Sequence, residues 1–282
     1  MLQIYIFAEN KPILTMSIKR LICAIGAALI LTSCGTQLNS SFLMSGGQKL
    51  AQAATLTDEQ MAAYVAQTVT QLDKENTILP ETDAYVKRVR RMTKGLTEVD
   101  GTPLNFQVYK TNDVNAFACA DGSVRIYSGL LDVMSDDEAL GVIGHEIGHV
   151  AMRHTRKQFQ RALMTSALRD AVISTGGKVA VLTSSQLGDL GEVLLSKNYS
   201  RKQEYEADDF GYAFLKAAGK NPWAMAMAFE ELEKLSSGQA SAGQSAAGAA
   251  ISNAFSDHPA TADRIARMSE RATADGFKRP AE

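Results

Sequence analysis

The sequence lacks an excess of positive charge. Lysine and arginine number 29, against 31 for aspartate and glutamate, which gives its 282 residues a formal net charge of −2. Nucleic-acid binding draws much of its affinity from cationic side chains that neutralise phosphates, so a nucleic-acid-binding protein is not expected. Hydrophobic residues make up 45% of the chain, which is enough for a core and excludes a disordered protein.

The chain also lacks apolar runs long enough to cross a membrane. The run near its amino end, Leu21–Leu31, has eleven residues, whereas a spanning helix needs about 20. This run follows Lys19 and Arg20 and leads into small residues. We therefore predict that residues 1–33 form a signal region and that translation starts at Met16. A buried core helix is the alternative interpretation.

The signal region ends in a sequence, Leu31-Thr32-Ser33-Cys34, that resembles the lipobox of bacterial lipoproteins. In that motif, cleavage before the cysteine leaves a thiol that is then acylated, and several acyl chains hold a protein stably at a membrane. Gly35 follows, and by resemblance to enterobacterial sorting patterns the absence of aspartate there favours the outer membrane. The resemblance therefore implies a lipid anchor at Cys34 and a domain facing the periplasm. The polar residues 34–56 are predicted to form a tether.

Cysteine is scarce, with three residues in the whole chain. Cys23 lies in the predicted signal region and Cys34 is the predicted site of the anchor, so Cys119 remains alone. No disulfide within the mature chain is expected, although the predicted compartment is oxidising.

Helical patterns surround one strand-rich region. Three short segments are rich in β-branched and aromatic residues: 104–110, 114–120 and 123–129. Asp121-Gly122, between the last two, is a strong hairpin signal. Capping boxes predict helices that begin after Thr57 and Ser135, and the second of these is expected to continue through His154. The sequence therefore predicts an α+β, mostly helical domain with a small antiparallel sheet.

Histidine is scarce too, yet three of the four histidines lie in the stretch 144–154, GHEIGHVAMRH. On a helix, His145 and His149 lie one turn apart, about 6 Å along the axis and about 40° around it, so both imidazoles can reach one zinc ion. Glu146 then stands beside the metal, where a general base must be. A coincidental pair of helix histidines is the alternative. We predict a zinc site on a central helix.

The third histidine of this stretch, His154, is not expected to bind the metal. It lies five residues after His149 and, while the helix continues, about 180° around it from His145. We predict that His154 lies at the surface or near the dipole at the helix C-terminus.

A third ligand is expected from the acidic stretch 200–211, SRKQEYEADDFG. Two histidines and one glutamate leave the fourth position of zinc open. Glu204 and Asp208 lie one turn apart on one helix face, so Glu204 can bind the metal while Asp208 accepts the outer N–H of a ligating histidine. Glu206 and Asp209 lie off this face and are expected to meet solvent. A merely solvated acidic helix is the alternative.

Three stretches, VIGHEIGHVAMRH, SRKQEYEADDFG and DHPATADRI, occur in the order typical of the M48 family of gluzincin metallopeptidases, and the chain resembles that family. The segment DVNAFACADGSVRIYSGLLDVM resembles it too. The resemblance covers about residues 57–275 and leaves 276–282 as a tail. It implies a gluzincin-like metallopeptidase domain that binds one zinc ion through His145, His149 and Glu204.

The resemblance implies further roles. Glu146 would be the catalytic base, and Asp208 would orient a ligand. His258, in DHP, matches a family histidine that stabilises the oxyanion or caps the metal, and Arg264 matches the arginine that accompanies it. Ala260 stands where the family often has a second proline, which leaves the geometry of that loop open. The edge strand that pairs with an extended peptide substrate would contain Asn115, Ala116 and Phe117.

These features together predict a zinc-dependent endopeptidase, anchored as an envelope lipoprotein, that hydrolyses misfolded or unfolded envelope proteins. A chaperone-like or binding lipoprotein is the alternative if His258 closes the zinc site, although Glu146 argues against it because structural zinc needs no base. A zinc amidase acting on cell-wall peptide bonds shares the chemistry, but the family resemblance disfavours it.

Overall fold

A computed structural model describes residues 57–163, 179–196, 199–240 and 262–281, with side chains up to residue 235 in the third range. Three predictions lie outside the described residues: the signal region 1–33, the tether 34–56 with its anchor at Cys34, and the loop that carries His258. All the described residues belong to one compact unit of the chain.

Nine helices account for most of the described residues, which confirms the mostly helical prediction. In chain order they are α1 (Asp58–Glu75), α2 (Ala84–Met92), α3 (Ser128–Val133), α4 (Asp136–Ala151), α5 (His154–Leu163), α6 (Ser184–Leu195), α7 (Arg201–Ala217), α8 (Trp223–Ala240) and α9 (Ala262–Ala274). The capping boxes at Thr57 and Ser135 are the predicted ones, and two more begin α6 and α7. None of these nine helices combines the length and apolarity needed to cross a bilayer.

Five strands complete the fold in the described ranges: β1 (Glu98–Val99), β2 (Thr102–Pro103), β3 (Asn105–Tyr109), β4 (Ala116–Ala118) and β5 (Ser123–Tyr127). β1 pairs with β2, and the other three form a sheet in the order β3, β5, β4. β4 and β5 are antiparallel around the predicted turn, where Gly122 has a φ of 85° that suits glycine. However, β3 is parallel to β5, so the prediction of a purely antiparallel sheet is wrong.

The parallel pair has a physical reason in the burial of β5. All five residues of β5 are buried, so this strand takes the centre of the sheet, where both its edges are paired. β4 reverses the chain between β3 and β5, and the two outer partners therefore flank β5 in opposite directions. As a result, β4 lies at an edge of the described sheet.

α4 is the central helix of the domain, as predicted, with 11 of its 16 residues buried. Two of its glycines face α7. A Cβ at Gly144 would lie 2.6 Å from Cδ1 of Phe214, and one at Gly148 would lie 2.9 Å from Cβ of Phe210 and 3.1 Å from the carbonyl oxygen of Ala207. Only glycine permits this approach without a shift of α7, and the approach brings the carboxylates of α7 within reach of the histidines of α4.

Candidate metal centre

Two histidines of α4 face a common point, as their spacing predicts. The Nε2 atoms of His145 and His149 lie 3.1 Å apart, and the ring centroids lie 4.7 Å apart. Both side chains are buried. The helix therefore presents two ring nitrogens that can bind one ion together.

Glu204 of α7 supplies a third donor at the same point. Its carboxylate oxygens lie 3.6 Å from Nε2 of His145 and 3.6 Å from Nε2 of His149. One donor atom from each of these three residues lies within 4.8 Å of the others, and all three residues are buried. Two imidazoles and one carboxylate are a donor set that zinc accepts while keeping one position open.

Asp208, one turn after Glu204, contacts the outer nitrogen of the first histidine. Its Oδ1 lies 2.9 Å from Nδ1 of His145, and the Arg264 guanidinium contacts both carboxylate oxygens at 2.6 and 2.9 Å. Burial alone would raise the pKa of Asp208, but the hydrogen bonds from Arg264 and His145 outweigh it and lower this pKa to about 2. Asp208 is therefore an anion that holds the His145 proton on Nδ1.

The donor atoms of the two histidines and Glu204 point towards one another, as binding of a divalent cation requires. With its proton on Nδ1, His145 points the lone pair of Nε2 towards His149 and Glu204. Arg264 offsets part of the Glu204 charge, because its Nη1 lies 3.0 Å from Oε2. A buried carboxylate that faces nitrogen lone pairs still gains from a shared cation, since buried charge is costly without a partner.

Glu146 follows His145 on α4 and is also buried. Both residues line a small cavity next to the three donors. The other walls of this cavity are mostly apolar: Val114, Leu130, Val142, Phe229 and Leu232. Glu146 and the donor His145 thus border a space that suits an apolar group.

Of the three residues predicted for the edge strand, two line this cavity and one lies in the core. Asn115 and Ala116 line the cavity together with Arg264. Phe117 instead points its ring to the opposite face, where it makes edge-on contacts with Tyr109 and Tyr127. The structure therefore brings the first two residues to the site, and it places the side chain of the third in the core.

The structure corrects the prediction for His154. α4 ends at Ala151, Arg153 adopts a left-handed φ of 58°, and α5 begins at His154. The His154 ring consequently turns back into the domain and is only 3% exposed. Its Nδ1 lies 3.1 Å from Nδ1 of His149. His154 neither lies at the surface nor points away from the site.

The environment of His154 extends to α7. Its Nε2 lies 3.0 Å from Oε2 of Glu206, which was expected only to meet solvent. Burial lowers the pKa of His154, and the hydrogen bond that His154 donates to Glu206 acts in the opposite direction. Asp209, the other residue expected in solvent, is half-exposed and forms ion pairs with Arg267 and Arg271.

Tyr199 is a site residue that the sequence analysis missed. Its ring stacks on the His149 ring, with centroids 3.9 Å apart and planes 17° apart. Burial raises the pKa of its hydroxyl, and the charge of Glu146 adds to this effect. Tyr199 lies just before α7, outside the helical patterns, so no spacing in the sequence connects it with the histidines.

Comparisons with known proteins find related peptidases. The model of "Peptidase family M48" matches residues 80–272. Metalloprotease LoiP of Escherichia coli is 42% identical over 93% of this chain and 100% of its own length. Metalloprotease YcaL of the same organism is 36% identical over 90% of this chain and 96% of its own length. Mitochondrial metalloendopeptidase OMA1 of Arabidopsis thaliana is 30% identical, over 62% of this chain and 36% of its own length.

Proposed function

Because the chain belongs to peptidase family M48 and is a metalloendopeptidase, we propose that it uses zinc to cleave polypeptides in a bacterial cell envelope. In this proposal, acyl chains on Cys34 hold the enzyme at the outer membrane, with its domain in the periplasm. The observation that carries the chemistry is the convergence of His145, His149 and Glu204 next to Glu146.

In this proposal, the three donors, Glu146, Asp208 and Arg264 have defined roles in peptide hydrolysis. His145, His149 and Glu204 would hold one zinc ion, which when bound makes a water molecule more acidic and polarises the scissile carbonyl. Glu146 takes a proton from the attacking water and then passes it to the departing amine. Asp208 keeps His145 in place during these steps, because it contacts the outer nitrogen of that ring and is itself held by Arg264.

The edge strand supports binding of an extended substrate. Asn115 and Cys119 form hydrogen-bonded pairs with β5, so Ala116 and Ala118 direct their backbone groups towards the edge. The Asn115 side chain accepts the Ala116 N–H at 2.8 Å and must release it before a peptide can pair there. An extended peptide on this edge would pass Glu146 and could place an apolar side chain in the neighbouring cavity.

The proposed envelope location rests on the amino-terminal sequence. The lipobox-like Leu31-Thr32-Ser33-Cys34 follows an apolar run with a basic start. Misfolded envelope proteins expose extended, apolar segments, which are the kind of substrate that an edge strand beside an apolar cavity can bind.

The peptidase chemistry is tested with Glu146→Gln and an unfolded polypeptide such as casein. We expect cleavage to fall by at least about 100-fold, because the amide cannot act as the base, while the variant still binds zinc. The wild-type enzyme should lose activity with a chelator and regain it with zinc. Unchanged turnover in the variant would overturn the assignment, and prevention of aggregation without cleavage by the wild type would favour a chaperone-like protein.

The anchor is tested with Cys34→Ser expressed from its own signal region. We expect the wild type to sediment with the outer-membrane fraction and the variant to be absent from that fraction. Labelling with a radioactive fatty acid should mark the wild type alone. An unlabelled wild type in the soluble fraction would contradict the proposed anchor and leave the peptidase chemistry intact.

A further inference from the structure

The outer nitrogens of the two histidine ligands contact different chemical groups. His145 faces the Asp208 carboxylate at 2.9 Å. His149 faces another imidazole, with its Nδ1 lying 3.1 Å from Nδ1 of His154. The peptidase chemistry described above gives His154 no role, yet this ring is buried beside the site and is held on its far side by Glu206.

We propose that His154, held by Glu206, is a positioning residue that fixes the ring of His149 for metal binding. The inference rests on the zinc site of the proposed function, and it is independent of the anchor and of the substrate. It gives a role to the last residue of the stretch 144–154, which follows the two histidine ligands in the sequence.

The positions of the protons follow from the contacts. If His149 binds a metal through Nε2, its proton lies on Nδ1 and must be donated to an acceptor. Nδ1 of His154 is that acceptor at 3.1 Å, so the proton of His154 lies on Nε2. This second proton faces Oε2 of Glu206 at 3.0 Å. The carboxylate on α7 therefore sets the tautomer of His154, and His154 in turn sets that of His149.

Two other groups restrict the same rings. Tyr199 stacks on one face of His149 and tilts against His154, with its centroid 6.0 Å from that ring. The left-handed backbone at Arg153 directs His154 inward from the start of α5. Rotation of the His149 ring would therefore break a stacking contact and a hydrogen bond together.

Two alternative roles fit these contacts less well. His154 is unsuited as a fourth ligand, because it contacts His149 through Nδ1, on the side of that ring away from the shared Nε2 point. As a space-filling residue it would also be a poor choice, because a buried imidazole is costly unless its nitrogens are hydrogen-bonded. The contacts with His149 and Glu206 account for a histidine at this position.

The test compares His154→Leu with His154→Gln in the full-length protein. We expect His154→Leu to raise the zinc dissociation constant by about 10- to 100-fold, since outer partners of metal ligands have effects of this size. His154→Gln should recover most of the affinity, because its amide can accept from His149 and donate to Glu206. Thr155→Val, at the neighbouring buried position, is the matched control and should bind zinc as the wild type does.

Two further readouts separate positioning from packing. The absorption spectrum of the cobalt-substituted protein reports the ligand field, and we expect it to change in His154→Leu but not in Thr155→Val. The melting temperature of the metal-free protein should be similar in the leucine and glutamine variants. If His154→Leu does not fold, Glu206→Ala at a half-exposed position replaces it and should weaken zinc binding several-fold.

Zinc affinity within about twofold of wild type in His154→Leu would overturn the inference, as would equal losses in the leucine and glutamine variants. In the fallback arm, unchanged affinity in Glu206→Ala would overturn it. A wild-type protein that binds no zinc would instead overturn the proposed function. If the wild type binds zinc and Glu146→Gln is inactive while His154→Leu retains full affinity, only the inference about His154 fails.

Discussion

The two halves of the metal centre hold their histidines by different physical means. On one side, His145 contacts a buried carboxylate that is itself paired with the guanidinium of Arg264. On the other side, His149 contacts the imidazole of His154, which leads to the half-exposed Glu206. The His145 half is a fully buried ion pair, whereas the His149 half consists of a neutral imidazole ring, His154, and a carboxylate at the surface, Glu206.

This difference determines how each half responds to change. The charged groups of the His145 half are buried away from water. Water therefore cannot take the place of a lost partner, and loss of one partner leaves the other buried and unpaired. In the His149 half, water and salt reach Glu206, so water can partly replace a contact that is lost there. We therefore expect changes in the first half to alter folding as well as metal affinity, and changes in the second half to alter mainly metal affinity.

The largest effect is expected from Arg264→Met. It leaves the carboxylates of Asp208 and Glu204 buried without their common cation, and losing one partner of a buried pair costs about 3–5 kcal/mol. The measurement is the free energy of unfolding of the metal-free protein in urea. Arg271→Met is the control on the same helix, because its pair with Asp209 is partly exposed and is worth at most about 1 kcal/mol. Equal losses in the two variants would contradict the comparison.

The next effect concerns the pH dependence of stability. The pKa of Asp208 is lowered from 3.8 to about 2 in the folded protein. A carboxyl group with a lowered folded pKa stabilises the fold above its unfolded pKa and loses this contribution as the pH falls through the folded pKa. Between pH 5 and pH 2 the wild type should therefore lose about 2 kcal/mol more than Asp208→Asn does. Urea unfolding of both metal-free proteins measures this, and parallel pH profiles would contradict it.

A smaller effect is expected where α4 meets α7, since this contact holds the two halves together. In Gly148→Ala the new Cβ would press on Phe210 and on the Ala207 carbonyl, and such overpacking costs about 1–3 kcal/mol. Zinc affinity should fall as well, because α7 carries Glu204. Gly188→Ala, at an open helical position, should instead stabilise by up to about 1 kcal/mol. A zinc affinity unchanged in Gly148→Ala would show that α7 does not need this approach.

The sequence predicted the metal donors and the His145 half better because their signals are periodic. His145, His149, Glu204 and Asp208 each follow a helix spacing, and the two stretches that carry them are rich in residue types that bind metals. The sheet was predicted less well. Its hairpin has a local turn signal at Asp121-Gly122, but the pairing of β3 with β5 depends on which strand is most buried, and no short-range signal encodes that.

The contacts on the outer side of His149 could not be predicted from spacing because their geometry depends on a break in the helix. A left-handed residue that ends a helix is usually glycine or asparagine, whereas here it is Arg153. The helical pattern of the sequence continues through His154, although the helix itself has ended. Spacing therefore places the His154 side chain on the wrong face. Tyr199 lies in a loop and meets His149 only through the packing of α7 against α4.

The smallest effect, and the most direct comparison of the two halves, comes from replacing each outer carboxylate with its amide. Glu206→Gln keeps an oxygen that can accept from His154, and its half-exposed position lets water compensate, so zinc affinity should fall by less than about threefold. Asp208→Asn removes the charge of one of the two buried carboxylates that pair with Arg264, so affinity should fall by about tenfold or more. Chelator competition at low and high salt measures both. Because salt screens exposed charges, the effect of Glu206→Gln should shrink at high salt while that of Asp208→Asn persists. Equal losses with equal salt dependence would mean that the two halves hold their histidines in the same way.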